Sequence, residues 1–187
     1  LRLSVIGRPD RQLWYDINQP SDKPLSSSLR IKFLYGYLLE ELLILFSSVA
    51  GHKVTHQQKE VTVEGIKGHQ DCMIDNFLID MKSASWRSFQ KFKNNTLSED
   101  DPFGYIAQMS AYAEANGVEE GGFLVIDKQS GEICLSKVNA LEMINAKKRI
   151  THLKKLIKHK TAPSKCFDDL PEGKSGNRKL DVRCIFC

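Results

Sequence analysis

Asp71, Asp80 and Lys82 are the residues of this chain best placed to do chemistry. They lie within 68–82, a stretch that reads as two short strands joined at Asp75-Asn76, a turn-forming pair between apolar runs. With a two-residue loop, Ile74 pairs with Phe77. Counting outward puts Asp71 opposite Asp80 and His69 opposite Lys82. Directly opposed side chains sit ~4.5–5.5 Å apart, and like charges there destabilise the pair. A divalent cation between the two carboxylates removes that penalty, since Mg²⁺ takes a few carboxylates plus phosphate and water oxygens. Asp80 and Lys82, two apart on one strand, point to the same face. Two acids and a lysine therefore converge on one spot suited to metal-ion chemistry. The plain alternatives are two solvated surface acids, and a Lys82 that merely partners Asp80, an arrangement worth little. His69 reads equally well as a hydrogen-bonding structural histidine.

The elements that must hold this hairpin follow from the flanking sequence. Ser26-Ser27-Ser28 offers an N-cap for a helix over 29–48, with Phe33, Leu34, Leu38, Leu42, Leu45 and Phe46 at helical spacing and Gly51 closing it. Gly36 and Glu40 share a face, four apart. Residues 1–25 hold Pro9, Pro20 and Pro24 and predict no long element. Residues 53–64 alternate like one strand, and 83–101 are polar and turn-rich. Pro102 opens a helix that runs to Asn116 and stops at Gly117. Residues 122–127 and 132–138 form a strand pair. Asn139 caps a long helix to Lys160, and 161–187 is a loop-like tail. Helix, three strands, helix, two strands, helix is an α/β arrangement around a mixed sheet.

Length and composition set bounds. The 187 residues make one domain, 1–187, with 161–187 a cysteine-containing tail. A net charge of +4 fits a nucleic-acid partner without demanding one. No run of ~18 apolar residues marks a membrane span. The chain starts at Leu1 without Met or signal peptide and ends at a cysteine. It is expected to be a trimmed piece of a cytoplasmic protein, its tail cut short. Five cysteines, an odd number, argue against a disulfide framework.

Asp-x-Lys alone is a cheap motif; Pro171-Glu172-Gly173-Lys174 is a literal match in a Gly- and Pro-rich loop with no upstream acid. Context lifts Asp80-Met81-Lys82 above it. Arg11-Gln12-Leu13-Trp14-Tyr15, Gly36…Glu40, Gly68-His69-Gln70-Asp71, Ile79-Asp80-Met81-Lys82-Ser83 and Gln108…Tyr112 follow one another in order. That ordered set resembles the PD-(D/E)xK nuclease superfamily, in its RecB-like branch of CRISPR-associated and phage exonucleases. The resemblance covers roughly 5–187. It implies a restriction-endonuclease-like core, a central mixed β-sheet flanked by helices. By the same resemblance Asp71, Asp80, the Met81 carbonyl and Glu40 bind Mg²⁺ or Mn²⁺. Lys82 activates water or stabilises phosphate charge, and Gln108 and Tyr112 line the site. Glu40 stands where the relatives carry His, which bears on metal preference and number. The chemistry is consistent, because phosphodiester hydrolysis needs a metal-activated water and a cation at the pentavalent centre. The implied function is a metal-dependent DNA nuclease, an exonuclease acting on DNA ends in processing or recombination. A structure-selective endonuclease and a catalytically silent DNA-binding module are the rivals.

Other residues carry lesser expectations. Arg11, Ser83, Ser85, Trp86 and Arg87 are candidate DNA contacts; the aromatics among cations after Lys82 either stack on unpaired bases or pack against the core. The basic stretch 146–160 is a solvated face or a phosphate-contacting rim. Cys166, Cys184 and Cys187 end the chain with Cys-x-x-Cys, a metal-ligand spacing. Some RecB-like nucleases hold an iron–sulfur cluster with three such cysteines and one near the N-terminal motif, where this chain has Pro9. A zinc or iron–sulfur site and reduced free thiols both stand. Beyond DNA, the expected partners are a recombination or replication protein and further copies of the chain, with no membrane.

Overall fold

The computed structural model describes residues 1–20, 24–181 and Cys184. Its helices are α1 (Asp10–Asn18), α2 (Ser27–Val49), α3 (Trp86–Lys93), α4 (Tyr105–Asn116) and α5 (Ala146–Leu156). Its strands are β1 (Val54–Thr55), β2 (Lys59–Val63), β3 (Ile66–Gln70), β4 (Cys72–Ile74), β5 (Phe77–Ala84), β6 (Gly121–Asp127), β7 (Ile133–Val138), β8 (Leu170–Pro171) and β9 (Arg178–Lys179). Asp75 and Asn76 take left-handed backbone, φ +50° and +66°. A tight two-residue hairpin of type I′ requires this, and Ile74 pairs with Phe77 as expected. The main sheet runs β1-β4-β5-β6-β7. Among the described residues its one parallel pair is β5 with β6; α3 and α4 make the crossover between them. A central mixed sheet flanked by helices is thus what the chain builds.

Alternation along β5 splits its side chains between two cores. Leu78 and Ala84 join Phe123 and Val125 in the large core with α3, α4 and α5. Ile79 and Met81 join Cys72, Leu39 and Leu43 in a smaller core under α2. Asp80 shares the parity of Leu78, so it is fully buried on the α4 side. The Gly68 backbone packs on Leu3 and Tyr112: an added Cβ would lie 2.7 Å from Leu3 Cβ and 3.1 Å from Tyr112 Cε1.

Several expectations are corrected. The segment 1–25 contains α1, which begins directly after Pro9 and buries Leu13 and Trp14. The segment 83–101 contains α3, whose Phe89 and Phe92 are buried; two anchors on eight residues give too little periodicity to read. The stretch 53–64 is two strands in two sheets, broken where His56 and Gln58 turn to positive φ. The last helix starts behind Asn145, which accepts from the Lys148 N–H at 2.9 Å. Asn139 instead accepts from the Leu141 N–H at 2.9 Å in a turn. That helix ends at Leu156, not Lys160. β3 leaves the main sheet to pair with β2, so His69 opposes Glu60 and not Lys82. No helix among the described residues is long and apolar enough to cross a membrane.

Candidate active site

The β4–β5 ladder ends at Cys72–Ile79, because the chain switches from one sheet to the other at Asp71. β5 runs on beside β6, and among the described residues no strand lies on its β4 side beyond Ile79. Asp71 takes over there: its Oδ2 accepts from the Met81 N–H at 2.6 Å. The Gln58 N–H in turn donates to the Asp71 carbonyl at 2.9 Å. Asp71 is thus one step past the ladder, opposite Asp80 in the expected register, without being a strand residue.

Asp80 is held from two sides. Gln108 Nε2, from α4, donates to Oδ1 at 2.9 Å. Oδ2 is met by the Lys82 ammonium in a close, charge-assisted contact. Tyr112, one turn beyond Gln108 and fully buried, accepts a long 3.4 Å contact from Gln108 Nε2. Burial and then Asp80 push its hydroxyl well above the ordinary phenol range. Glu40 accepts a hydrogen bond from Gln58 Nε2.

The electrostatics are those of three acids around one cation. Burial first, then Asp80, raises the Asp71 carboxyl well above its ordinary range; Lys82 and the Met81 N–H oppose this. Burial also raises Glu40; Gln58 offsets part, and Asp80 and Glu41 add to it. Burial alone would lower Lys82, but Asp80 and Asp71 outweigh it and hold the ammonium above its ordinary range. A cation bound beside acids buried and crowded in this way would favour their charged forms. The donors are all oxygen, and so the set fits a hard divalent ion chemically. Among the described residues no three His, Cys, Asp or Glu side chains converge as a ready-made metal cluster.

Three residues of the site escaped the sequence reading. Lys82 Nζ lies 5.0 Å from the centroid of the Tyr105 ring, a cation–π contact. Tyr105 precedes Gln108 by three on one helix, a spacing that could have disclosed it. Asp101 caps α4, its carboxylate accepting from the Tyr105 and Ile106 N–H groups at 2.9 Å each; Asp-Pro ahead of a helix was the available signal. Gln58 comes from a loop and gave none.

A cavity of about 290 Å³ opens beside Lys82, lined by Ser83, Ser85, Lys91, Tyr105 and Lys128 among others. Trp86 and Arg87 are exposed on the first turn of α3, which follows directly. Arg11 is placed differently from a free DNA contact. Its guanidinium bonds the Pro163 carbonyl and, at 3.2 Å, the Tyr15 hydroxyl, which ties α1 to the C-terminal tail. The basic stretch is partly spent on structure too. Arg149 bonds the carbonyls of Ile6 and Arg8 at 2.8 Å each and Asp10 at 2.6 Å.

Cys166 and Cys184 line one cavity of about 270 Å³ with Arg11, whose backbone N–H meets Cys166 Sγ at 3.5 Å. Cys187 lies outside the described residues. Cys72 is a core thiol pushed up to about 12, chiefly by burial and then by Asp71.

No known protein-family profile matches the chain, and no curated protein sequence does. Solved structures do resemble it. A phage-related exonuclease from Haemophilus somnus 129PT superimposes with a TM-score of 0.54 at 17% identity, covering 84% of this chain and 89% of its own. An alkaline exonuclease from Laribacter hongkongensis gives 0.49 at 14% identity, over 82% and 85%. At such identity the likeness is one of fold. The mixed-sheet α/β core expected from the ordered motifs is the fold this chain shares with the phage-related exonuclease.

Proposed function

We propose that the chain is a metal-dependent deoxyribonuclease, an exonuclease acting on DNA ends in processing or recombination. The observation that carries the reading is the fully buried Asp80 between Gln108 and Lys82, with Asp71 anchored at the adjoining strand break. Burying a carboxylate and an ammonium side by side is costly and is a poor way to gain stability. It is a good way to keep charges pre-aimed at a reacting phosphate. The exonuclease fold supports the same reading.

Asp71, Asp80, Glu40 and the Met81 carbonyl would hold Mg²⁺ or Mn²⁺. The ion would supply Lewis-acid stabilisation of the phosphate and a more acidic water. Lys82, kept protonated by its acidic neighbours, serves as a fixed positive charge for the pentavalent phosphate and as a donor to the attacking water's oxygen. Gln108 keeps Asp80 in one orientation, and Tyr112 backs Gln108. Tyr105 forms the apolar wall that confines the Lys82 ammonium. Ser83, Ser85 and Lys128 offer donors to the strand beyond the scissile phosphate, and Trp86 and Arg87 offer a stacking and ion-pairing edge.

The test is digestion of end-labelled linear DNA with Mg²⁺ or Mn²⁺ by the wild type, Lys82→Ala and Asp80→Asn. Loss of cleavage in both variants is expected; equal activity in all three sinks the assignment. Cutting of a closed circle would replace the exonuclease by an endonuclease. Salt-sensitive DNA binding without any turnover would point to a silent binding module.

A further inference from the structure

α2 buries one face and leaves a second apolar face open. Leu39 and Leu43 sink into the smaller core, and Glu40 continues that side towards Gln58. At about 100° per residue, a stripe roughly 100° round the helix from Leu39 and Leu43, and roughly 180° from Glu40, carries Ile31, Tyr35, Leu38, Leu42, Leu45 and Val49. Their spacing alternates four and three, a heptad seam across most of the helix. Leu42 is half-buried; the other five are exposed, from 46% for Tyr35 to 78% for Val49. Exposed Leu34 and Phe46 flank the seam. With side chains of ~150–250 Å² each, these residues leave roughly 800 Å² of mostly apolar surface in water. Monomers rarely carry a contiguous patch beyond a few hundred Å². The area matches the ~800 Å² per partner that a stable association buries.

We propose that this face pairs with the same face of a second copy of the chain, as an antiparallel two-helix seam. A closed twofold contact is self-complementary, and the six seam residues satisfy it: Ile31 meets the partner's Val49, Tyr35 meets the partner's Leu45, and Leu38 meets the partner's Leu42. No charged side chain interrupts the seam. The antiparallel sense also aligns the helix dipoles favourably. It lays each exposed N-terminal half of α2 over the anchored C-terminal half of the other copy. Glu40 and the candidate active site stay on the far side of the helix, so the contact does not depend on the nuclease reading.

Sedimentation of the chain at about 1–100 µM should show a dimer, with Leu38→Glu/Leu45→Glu monomeric and unchanged in circular dichroism. The two substitutions act twice across a twofold seam and should weaken association more than about 1,000-fold. Oxidation of an Ile31→Cys/Val49→Cys variant should yield a linked peptide pair joining 31 to 49. A wild type that stays monomeric at the highest concentration overturns the proposal, including one that is monomeric yet binds lipid vesicles. So does a charged variant that remains dimeric. A 31-to-31 link overturns the antiparallel register.

Discussion

Removing Lys82 alone should destabilise the protein more than removing Lys82 and the Asp80 charge together. Asp80 is fully buried and its Oδ2 depends on the Lys82 ammonium, while Oδ1 is served by Gln108. Lys82→Met fills similar space but leaves a buried carboxylate without its cation, beside Asp71 and Glu40. Breaking a buried pair from one side costs ~3–5 kcal/mol. The Gln108 hydrogen bond survives, which favours the lower end. At ~2–4 °C per kcal/mol for a domain of this size, the midpoint should fall by about 6–20 °C. Asp80→Asn/Lys82→Met removes both charges and keeps an acceptor for Gln108, so it should return to within about 1.5 kcal/mol of wild type. The assay is thermal and urea unfolding of wild type, both single variants and the double, in chelator at neutral pH, read as a double-mutant cycle. A Lys82→Met variant within 1 kcal/mol of wild type (about one cap's worth) would refute the reasoning. So would a double variant as unstable as Lys82→Met.

Asp71 supplies a pH test. Its folded carboxyl is raised by burial and by Asp80, so its contribution is fully present below the ordinary Asp value and is lost as pH rises through the raised one. In chelator, Asp71→Asn should therefore gain stability over wild type as pH climbs from about 4 to 8, and Mg²⁺ should narrow the gap by neutralising the wild-type acids; a pH-independent offset would contradict this. Gln108→Ala strips the donor from buried Asp80 Oδ1 and should cost ~1–3 kcal/mol. Tyr112→Phe loses only the 3.4 Å contact; chemical denaturation should show it to be the milder change. Asp101→Ala frees two N–H groups at the start of α4 and should cost about 1–2 kcal/mol. Asp101→Asn, still able to accept, should recover much of that loss in the same melts.

Local chemistry was legible in the sequence wherever neighbours in the chain decide it. Asp75-Asn76 specifies the hairpin turn because both residues tolerate left-handed backbone, and the turn then dictates the register that sets Asp71 opposite Asp80. Ser26 marks the start of α2, and Gly117 the end of α4, by the same logic of satisfying helix-end backbone groups. The order of the motifs anticipated the fold. Contacts between distant segments were not legible, because no local rule encodes them. The break that sends β3 to β2 takes His69 off the site and turns Asp71 into a side-chain cap for Met81. Arg11 is claimed by the Pro163 carbonyl from the far end of the chain. Tyr105 comes over Lys82 only because α4 crosses that face of the sheet. The sequence alone determined which residues carry charge and which strand bears them. Only tertiary packing decided that Asp80 is buried, because α4 packs on that face of β5, and burial is what leaves Asp80 dependent on Lys82 and Gln108 for its partners.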